Sequence, residues 1–413
     1  MKEKKEYWLY VEPYCFIMKN KKQCLIFNSL SSSKIVQNKI GIIKEILNQL
    51  SNEDNMNCIK INEEQLKNKE VLSFVKELRD NFSGDIIETS LCSTKPIIVP
   101  SELKLQKNVD VFYEEKKDGI DILNYLSEIS IQINSICDLE CDCCCYAYKQ
   151  NLFCTKNNTQ LNLNKISQFL NQIKNTAVSN INILGGNIFS YPELLELSTL
   201  LKSYPFTTIF HIHYKNIIKY IRKLSWLKNS KNKISLKVTF PLNEKIFKLV
   251  REQLINKEIS HVWNFFISSI NDYEIINEII TIYKLQNIEI IPLVKTDNLQ
   301  FFKENIYLTQ KDIKNISSSK REIFAKKTLN VNDFGKLHIM SDGVVFANVN
   351  HPPLGTIDDS IYNLIYQEIK KGISWKRIRN MKPCSDCIYQ WLCPSPSNYE
   401  LTIGQPNLCQ IIN

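Results

Sequence analysis

No apolar run in this chain approaches the roughly 20 residues that a membrane span requires, so no membrane association is expected. The opening MKEKKEYWLY lacks the uninterrupted apolar stretch of a secretory signal, which makes a cytoplasmic location the expectation. A dense basic segment with interleaved aromatics is also missing. The net charge of +9 comes from lysine, with only six arginines, and gives no reason to expect nucleic acid as a partner. There is no Gly-rich phosphate loop, no nucleophile elbow, no internal repeat and no low-complexity segment. What remains is a balance of 44% apolar and 23% charged residues over 413 positions, enough for two or three packed domains and unlike a disordered chain.

Cysteine is abundant but unevenly placed. Of the 14, Cys15, Cys24, Cys58 and Cys92 are scattered and read as small buried hydrophobes. Six fall between Cys137 and Cys154, four between Cys384 and Cys409, and none between those groups. In a reducing compartment such clusters argue for metal binding or thiol chemistry rather than a disulfide framework.

Three organisational regions follow from the patterning. Residues 1–90 read as a small unit: Tyr7–Glu12, Tyr14–Lys19 and Gln23–Asn28 form a three-stranded meander. Ser31–Ser33 then cap a helix carrying Val36, Ile40, Ile43, Leu47 and Leu50. A last helix carries Val71, Phe74, Val75 and Leu78, with Gly84 as its stop. Residues 91–125 read as a linker. From 126 to 325 strands alternate with amphipathic helices, the strand candidates being Ile129–Ile136, Ile181–Leu184, Thr207–His213, Ser235–Phe240, His261–Ser268 and Ile288–Lys295. Such alternation implies a parallel sheet, and six units are too few for a closed eight-stranded barrel, so an open, partial barrel is expected. Residues 326–413 begin with a hairpin at Asp342-Gly343, continue into a helix around Ile361–Lys371 and end in the second cysteine group.

The first group reads Cys137-Asp-Leu-Glu-Cys141-Asp-Cys143-Cys144-Cys145-Tyr146 and directly follows the first strand of the alternating region. Loops at strand C-termini of parallel barrels carry chemistry. Cys137, Cys141 and Cys144 have CxxxCxxC spacing, and three thiolates can hold three irons of a [4Fe–4S] cluster while leaving the fourth open. Zinc, or no metal, is the alternative. This loop, with Gly185-Gly186-Asn187 after the second strand, resembles the radical SAM enzymes, whose second motif reads Gly-Gly-Glu. The resemblance covers roughly residues 126–300. It implies S-adenosylmethionine bound at the cluster beside Gly185, Gly186 and Asn187, and its reductive cleavage in the service of hydrogen abstraction. Two departures stand out: Cys145 intervenes before the aromatic Tyr146, and the Glu that meets the ligand's ammonium is Asn187. Exchanging a carboxylate for a neutral acceptor costs about 1–3 kcal/mol of affinity.

The second group, Cys384-Ser-Asp-Cys387 with Cys393 and Cys409, fits a zinc site or an iron–sulfur cluster. Beside the first group it resembles the SPASM extension of radical SAM peptide maturases, which implies one auxiliary [4Fe–4S] cluster on these four cysteines. The ligands of a second auxiliary cluster are absent as a set, with Ala347, Asn348 and Ser397 at their positions. Gly355, Trp375 and Cys393-Pro-Ser-Pro-Ser-Asn-Tyr-Glu400 resemble the pseudo-radical-SAM subgroup of Bacteroidales double-glycine-leader peptide systems. Residues 1–90 resemble a PqqD-like, winged-helix-like module, in which a leader peptide adds to an exposed strand edge; the edge expected here is Cys24–Phe27. The fold class expected is therefore α/β: a partial (β/α)6 barrel with a peptide-recognition module before it and a SPASM-type extension after it. Two functions are compatible: a radical SAM/SPASM enzyme maturing a ribosomally made peptide, or an inactive adaptor that binds the precursor for a companion radical SAM enzyme. No catalytic residue is identified. His211 and His213, on one face of a strand, read as partly buried polar positions, and Tyr389 and Trp391 as a shield for the second cysteine group.

Overall fold

A computed structural model describes residues 5–99, 120–139, 141, 144–228 and 232–411. Most of the expected linker, Cys143 and the side chain of Cys145 lie outside the described residues. Six strands occupy the first 88 residues: β1 (Glu6–Val11), β2 (Cys15–Lys19), β3 (Gln23–Asn28), β4 (Lys34–Asn38), β5 (Cys58–Asn62) and β6 (Gly84–Glu88). They form two sheets, ordered β5-β1-β6 and β2-β3-β4.

The expected meander is thus shifted by one strand. β1 lies between β5 and β6, with Leu9 opposite both Ile59 and Ile86, and the meander is β2-β3-β4. Lys34–Asn38 is strand rather than helix because its Ile35 and Val36 are β-branched and alternate buried and exposed; the helix starts only at Gly41. The expected free edge at Cys24–Phe27 is therefore covered in cis by β4, with Leu25 opposite Val36. Gly84 is not a helix stop either. The helix Lys69–Asp80 ends at Asn81, and Gly84 opens β6, where a Cβ would stand 2.2 Å from the Tyr10 carbonyl oxygen.

β3 is buried on both faces, which is why it reads as an unbroken apolar run. Cys24 and Ile26, with Ile35, pack on the helices Gly41–Leu50 and Lys69–Asp80 through Ile43, Leu47, Phe74 and Leu78. Phe16, Met18, Leu25 and Phe27 face the opposite way and pack on Ile323, Ile388 and Leu392. Tyr389 and Trp391 join this contact, so both serve the seam between the N-terminal sheet and the second cysteine region.

The remaining strands form one nine-stranded sheet. They are β7 (Glu128–Gln132), β8 (Asn180–Leu184), β9 (Thr207–His213), β10 (Asn232–Thr239), β11 (His261–Ile267), β12 (Ile288–Pro292), β13 (Lys336–Ile339), β14 (Val344–Phe346) and β15 (Gly355–Thr356). The order is β12-β11-β10-β9-β8-β7-β13-β14-β15, and every pairing from β13 through β7 to β12 is parallel. Helices such as Leu163–Ile173, Glu244–Asn256 and Ile270–Tyr283 supply the crossovers that parallel strands need. Ile129, Ile131, Ile181, Ile183, Phe210, Leu236 and Phe265 bury one face against those helices. The alternate positions are polar: Ser130, Gln132, Asn182, His211, His213, Ser235, Lys237 and Asn264 share the other face. Among the described residues, no helix is long and apolar enough to cross a membrane.

Phe27 tests the seam. Phe27→Ala is expected to lower the unfolding free energy by about 3–5 kcal/mol in chemical denaturation, whereas Val36→Ala, at a 41% exposed edge position, should change it by less than about 0.5 kcal/mol.

Candidate functional site

β7 delivers the first cysteine loop, and its seat is Gly185-Gly186 at the end of β8. Asn134 bonds this turn from both sides: its amide nitrogen donates to the Asn187 carbonyl (3.0 Å), while its side-chain and backbone oxygens accept from Gly186 N–H (3.1 and 3.2 Å). Asn187 N–H donates to the Ile136 carbonyl at 2.7 Å. A Cβ on Gly186 would stand 2.3 Å from the Ile136 oxygen and 2.8 Å from Cys137 Cβ, so only glycine lets the loop lie this close. The glycine pair therefore has a structural duty towards the cysteine loop.

Asn187 is buried. Its Oδ1 caps the turn Ile188–Ser190 by accepting from Phe189 N–H (3.2 Å), and Nδ2 lies 3.5 Å from the Tyr220 hydroxyl. Asp138, inside the cysteine loop, is engaged by Lys219 at 3.1 Å. That ammonium above all, with Asn187 as a lesser partner, holds the Asp138 carboxyl below the usual carboxylate range.

Cys144 opens the short helix Cys144–Ala147, and its N–H donates to the Cys141 carbonyl at 3.3 Å. Its thiol lies 3.9 Å from that of Cys154, and both side chains are buried. Contact with Cys144, and then a hydrogen bond from His213, lowers the pKa of the Cys141 thiol. Burial pushes the Cys137 thiol up to about 11. Cys154 was not assigned from the sequence, although it belongs to the same run of six. The signal for it lies in the fold, which fastens residues 148–155 onto the polar face of the sheet. Gln150 exchanges two hydrogen bonds with Val294 (2.9 and 2.8 Å), Gln132 donates to Thr155 Oγ1 (3.1 Å), and the Lys237 ammonium donates to the Leu152 carbonyl. His211 and His213 are held by Asn182 (2.9 Å) and Thr239 (3.1 Å), as expected of partly buried polar positions.

The second cysteine group surrounds one small cavity. Cys384, Cys387, Cys393 and Cys409 line it together with Arg379 and Gln390. Cys387 N–H donates to the Cys384 carbonyl (3.0 Å), Cys393 N–H to Tyr389 (3.2 Å), and Cys409 is brought in by a bridge to Leu308. Arg379 Nη1 points at Cys384 Sγ (3.7 Å) while Nη2 pairs with the buried Glu400 (2.8 Å), which places a fixed cation beside the thiols. Burial pushes Cys393 up to about 12. Ala347, Asn348 and Ser397 carry no thiol; Asn348 instead donates to Asp333 (3.1 Å) and Asn398 (2.7 Å), and Ser397 caps the helix Asn398–Ile403. Among the described residues, no three His, Cys, Asp or Glu side chains are already arranged as a metal site. The donor sets themselves suit thiophilic metals: each group offers soft sulfur ligands in a partly buried setting with a cation nearby.

Between the loop and the C-terminal region lies a cavity of about 320 Å³, lined in part by Glu128, Ser130, Asn151, His338, Asp333 and Tyr399. Among the described residues, Ser130 Oγ is buried there without a hydrogen-bond partner. Burial pushes His338 down to about 4, so its imidazole is neutral at physiological pH.

No protein-family model matches the chain, and no curated protein matches it in sequence. Solved structures are similar in architecture. Streptococcus suis SuiB aligns with a TM-score of 0.46 at 13% identity, over 97% of this chain and 100% of that one. SuiB bound to precursor peptide SuiA gives 0.45 at 13%, over 98% and 100%. Native anSMEcpe with bound AdoMet and the Kp18Cys peptide gives 0.47 at 13%, over 68% and 96%.

Gly186→Ala should displace the cysteine loop and lower stability by about 1–3 kcal/mol in chemical denaturation; wild-type stability in the variant would contradict the seating role.

Proposed function

We propose that the chain binds a ribosomally made precursor peptide and acts in its maturation as an adaptor on a radical SAM/SPASM-type architecture, assisting a companion radical SAM enzyme. The observation that carries this reading is the outer edge of β4. Asn28 N–H donates to the Ser33 carbonyl (3.0 Å) and Lys39 N–H to the Lys22 carbonyl (2.8 Å), which fixes the phase of the ladder. Residues 33, 35, 37 and 39 turn their backbone polar groups towards β3, so Lys34, Val36 and Asn38 turn theirs outwards. Gln37 ties this edge to the helix Lys69–Asp80 through Glu77 (2.6 Å), and the exposed Val36 and Ile40 lie along it. An extended leader segment added there gains backbone hydrogen bonds, with specificity from alternate side chains. The division of labour in this reading is residues 1–90 for the winged-helix-like, PqqD-like recognition module, 91–125 for the linker, 126–325 for the radical SAM-like partial barrel and 326–413 for the SPASM-like region.

Cys384, Cys387, Cys393 and Cys409 would hold one auxiliary centre, [4Fe–4S] or zinc, that braces the C-terminal region against the N-terminal sheet. The burial of Asn187 as a turn cap favours the adaptor over an enzyme, since its amide is committed to the protein. A second reading, catalysis by this chain itself, is favoured by the intact CxxxCxxC at the C-terminal end of β7. In that reading a [4Fe–4S] cluster on Cys137, Cys141 and Cys144 would supply the electron for reductive cleavage of S-adenosylmethionine bordered by Gly185, Gly186 and Asn187. A Cys137/Cys141/Cys144 triple variant that still supports peptide modification in cells decides for the adaptor; lost modification with normal folding and leader binding decides for the enzyme.

Val36→Pro removes an outward N–H, and a proline is tolerated at a sheet edge. Leader affinity, read by fluorescence polarisation, should fall at least about tenfold while far-UV circular dichroism stays unchanged. Unchanged affinity would contradict recognition at β4.

A further inference from the structure

We infer that Cys154 is the fourth sulfur donor of a closed, single-metal thiolate site completed by Cys137, Cys141 and Cys144. The inference deepens the adaptor reading, and rests on it, by giving the loop a structural metal in place of an open cluster.

Distance carries the argument. Two thiolates on one tetrahedral ion with metal–sulfur bonds of about 2.3 Å stand about 3.8 Å apart. The Cys144 and Cys154 sulfurs are 3.9 Å apart. Cys137 and Cys141 stand on the same loop, where the Cys141 carbonyl accepts from Cys144 N–H at 3.3 Å. Metal uptake has to draw only the Cys137 and Cys141 sulfurs towards a pair already spaced for one ion.

Cys154 also stands on a fastened segment. The Gln150–Val294 bonds, the Gln132–Thr155 bond and the Lys237 contact to Leu152 fix the backbone on either side of it. Charge fits as well. Four thiolates around a divalent ion leave a net −2, and the buried Lys237 ammonium stands beside the site, donating to the Leu152 carbonyl two residues before Cys154. Four protein ligands is the count that structural zinc takes, and it leaves no coordination position for a small molecule. The metal would clamp the β7 loop to residues 148–155, which form one wall of the 320 Å³ cavity.

The test uses the full chain, kept reduced, stripped with a chelator and titrated with Co²⁺. The expected result is thiolate charge-transfer absorption whose loop component, about one ion per chain, is lost in Cys154→Ser and in Cys144→Ser but kept in the control Cys92→Ser. If Cys154→Ser does not fold, the wild type suffices: alkylation of Cys144 and Cys154 should rise together on chelation and fall together on adding Zn²⁺. Unchanged Co²⁺ stoichiometry in folded Cys154→Ser would overturn the inference, as would Cys154 alkylation that ignores the metal. So would labile sulfide that is lost in Cys144→Ser and retained in Cys154→Ser, the pattern of an open cluster. Leader binding measured on the same samples separates failure of this site from failure of the adaptor reading.

Discussion

The cysteine loop depends on one close approach of backbone to backbone. The chain leaving β7 has to expose several thiols at a strand end while its own polar groups stay satisfied, and Asn134, Ile136 and the Gly185-Gly186-Asn187 turn solve both needs through a few short hydrogen bonds. A side chain at Gly186 would strike Ile136 and Cys137 directly. The Asp138–Lys219 pair at the rim of the loop sits on that seat, and Cys144 meets Cys154 at its far end.

A second constraint joins the ends of the chain. β3 is apolar on both sides, so it needs a partner on each face, and the C-terminal region supplies one of them through Ile323, Ile388 and Leu392. Polar contacts reinforce the seam: Lys34 Nζ donates to the carbonyls of Lys314 (2.9 Å) and Ile316 (2.8 Å), and Ser32 meets Ser317 (2.7 Å). β4 is thereby anchored to the segment 314–317.

Much of this was legible in the sequence where period and burial agree. Thr207–His213 lies where its apolar run lies, and the other five strands expected between residues 126 and 325 fall within the expected runs or a few residues of them, because strands covered by helices on one face keep a strong apolar signal. The Asp342-Gly343 hairpin also forms where its turn residues stand. The misses have physical causes. Lys34–Asn38 is short and shares its apolar residues with the helix that follows, so a helical period absorbed it. The separation of β1 from the meander is a long-range pairing with Cys58–Asn62 and Gly84–Glu88 that local pattern does not encode. Gly84 looks in sequence like a helix stop, whereas in the fold it lets β6 approach Tyr10. Of the candidate site residues, the two cysteine groups stand out by spacing and Gly185-Gly186-Asn187 by resemblance. Cys154 does not, because its place beside Cys144 is created by contacts with Val294 and Lys237, more than 80 residues away in sequence.

The central claim is that the loop sulfurs close upon themselves and leave no coordination position for an exogenous ligand. Electron paramagnetic resonance of the full chain tests it most directly, after anaerobic incubation with iron and sulfide and then reduction, recorded with and without S-adenosylmethionine. A closed loop predicts spectra that S-adenosylmethionine leaves unchanged, any iron–sulfur signal arising from the four C-terminal cysteines. A signal that shifts when S-adenosylmethionine is added, and that disappears in Cys141→Ala, would contradict the account.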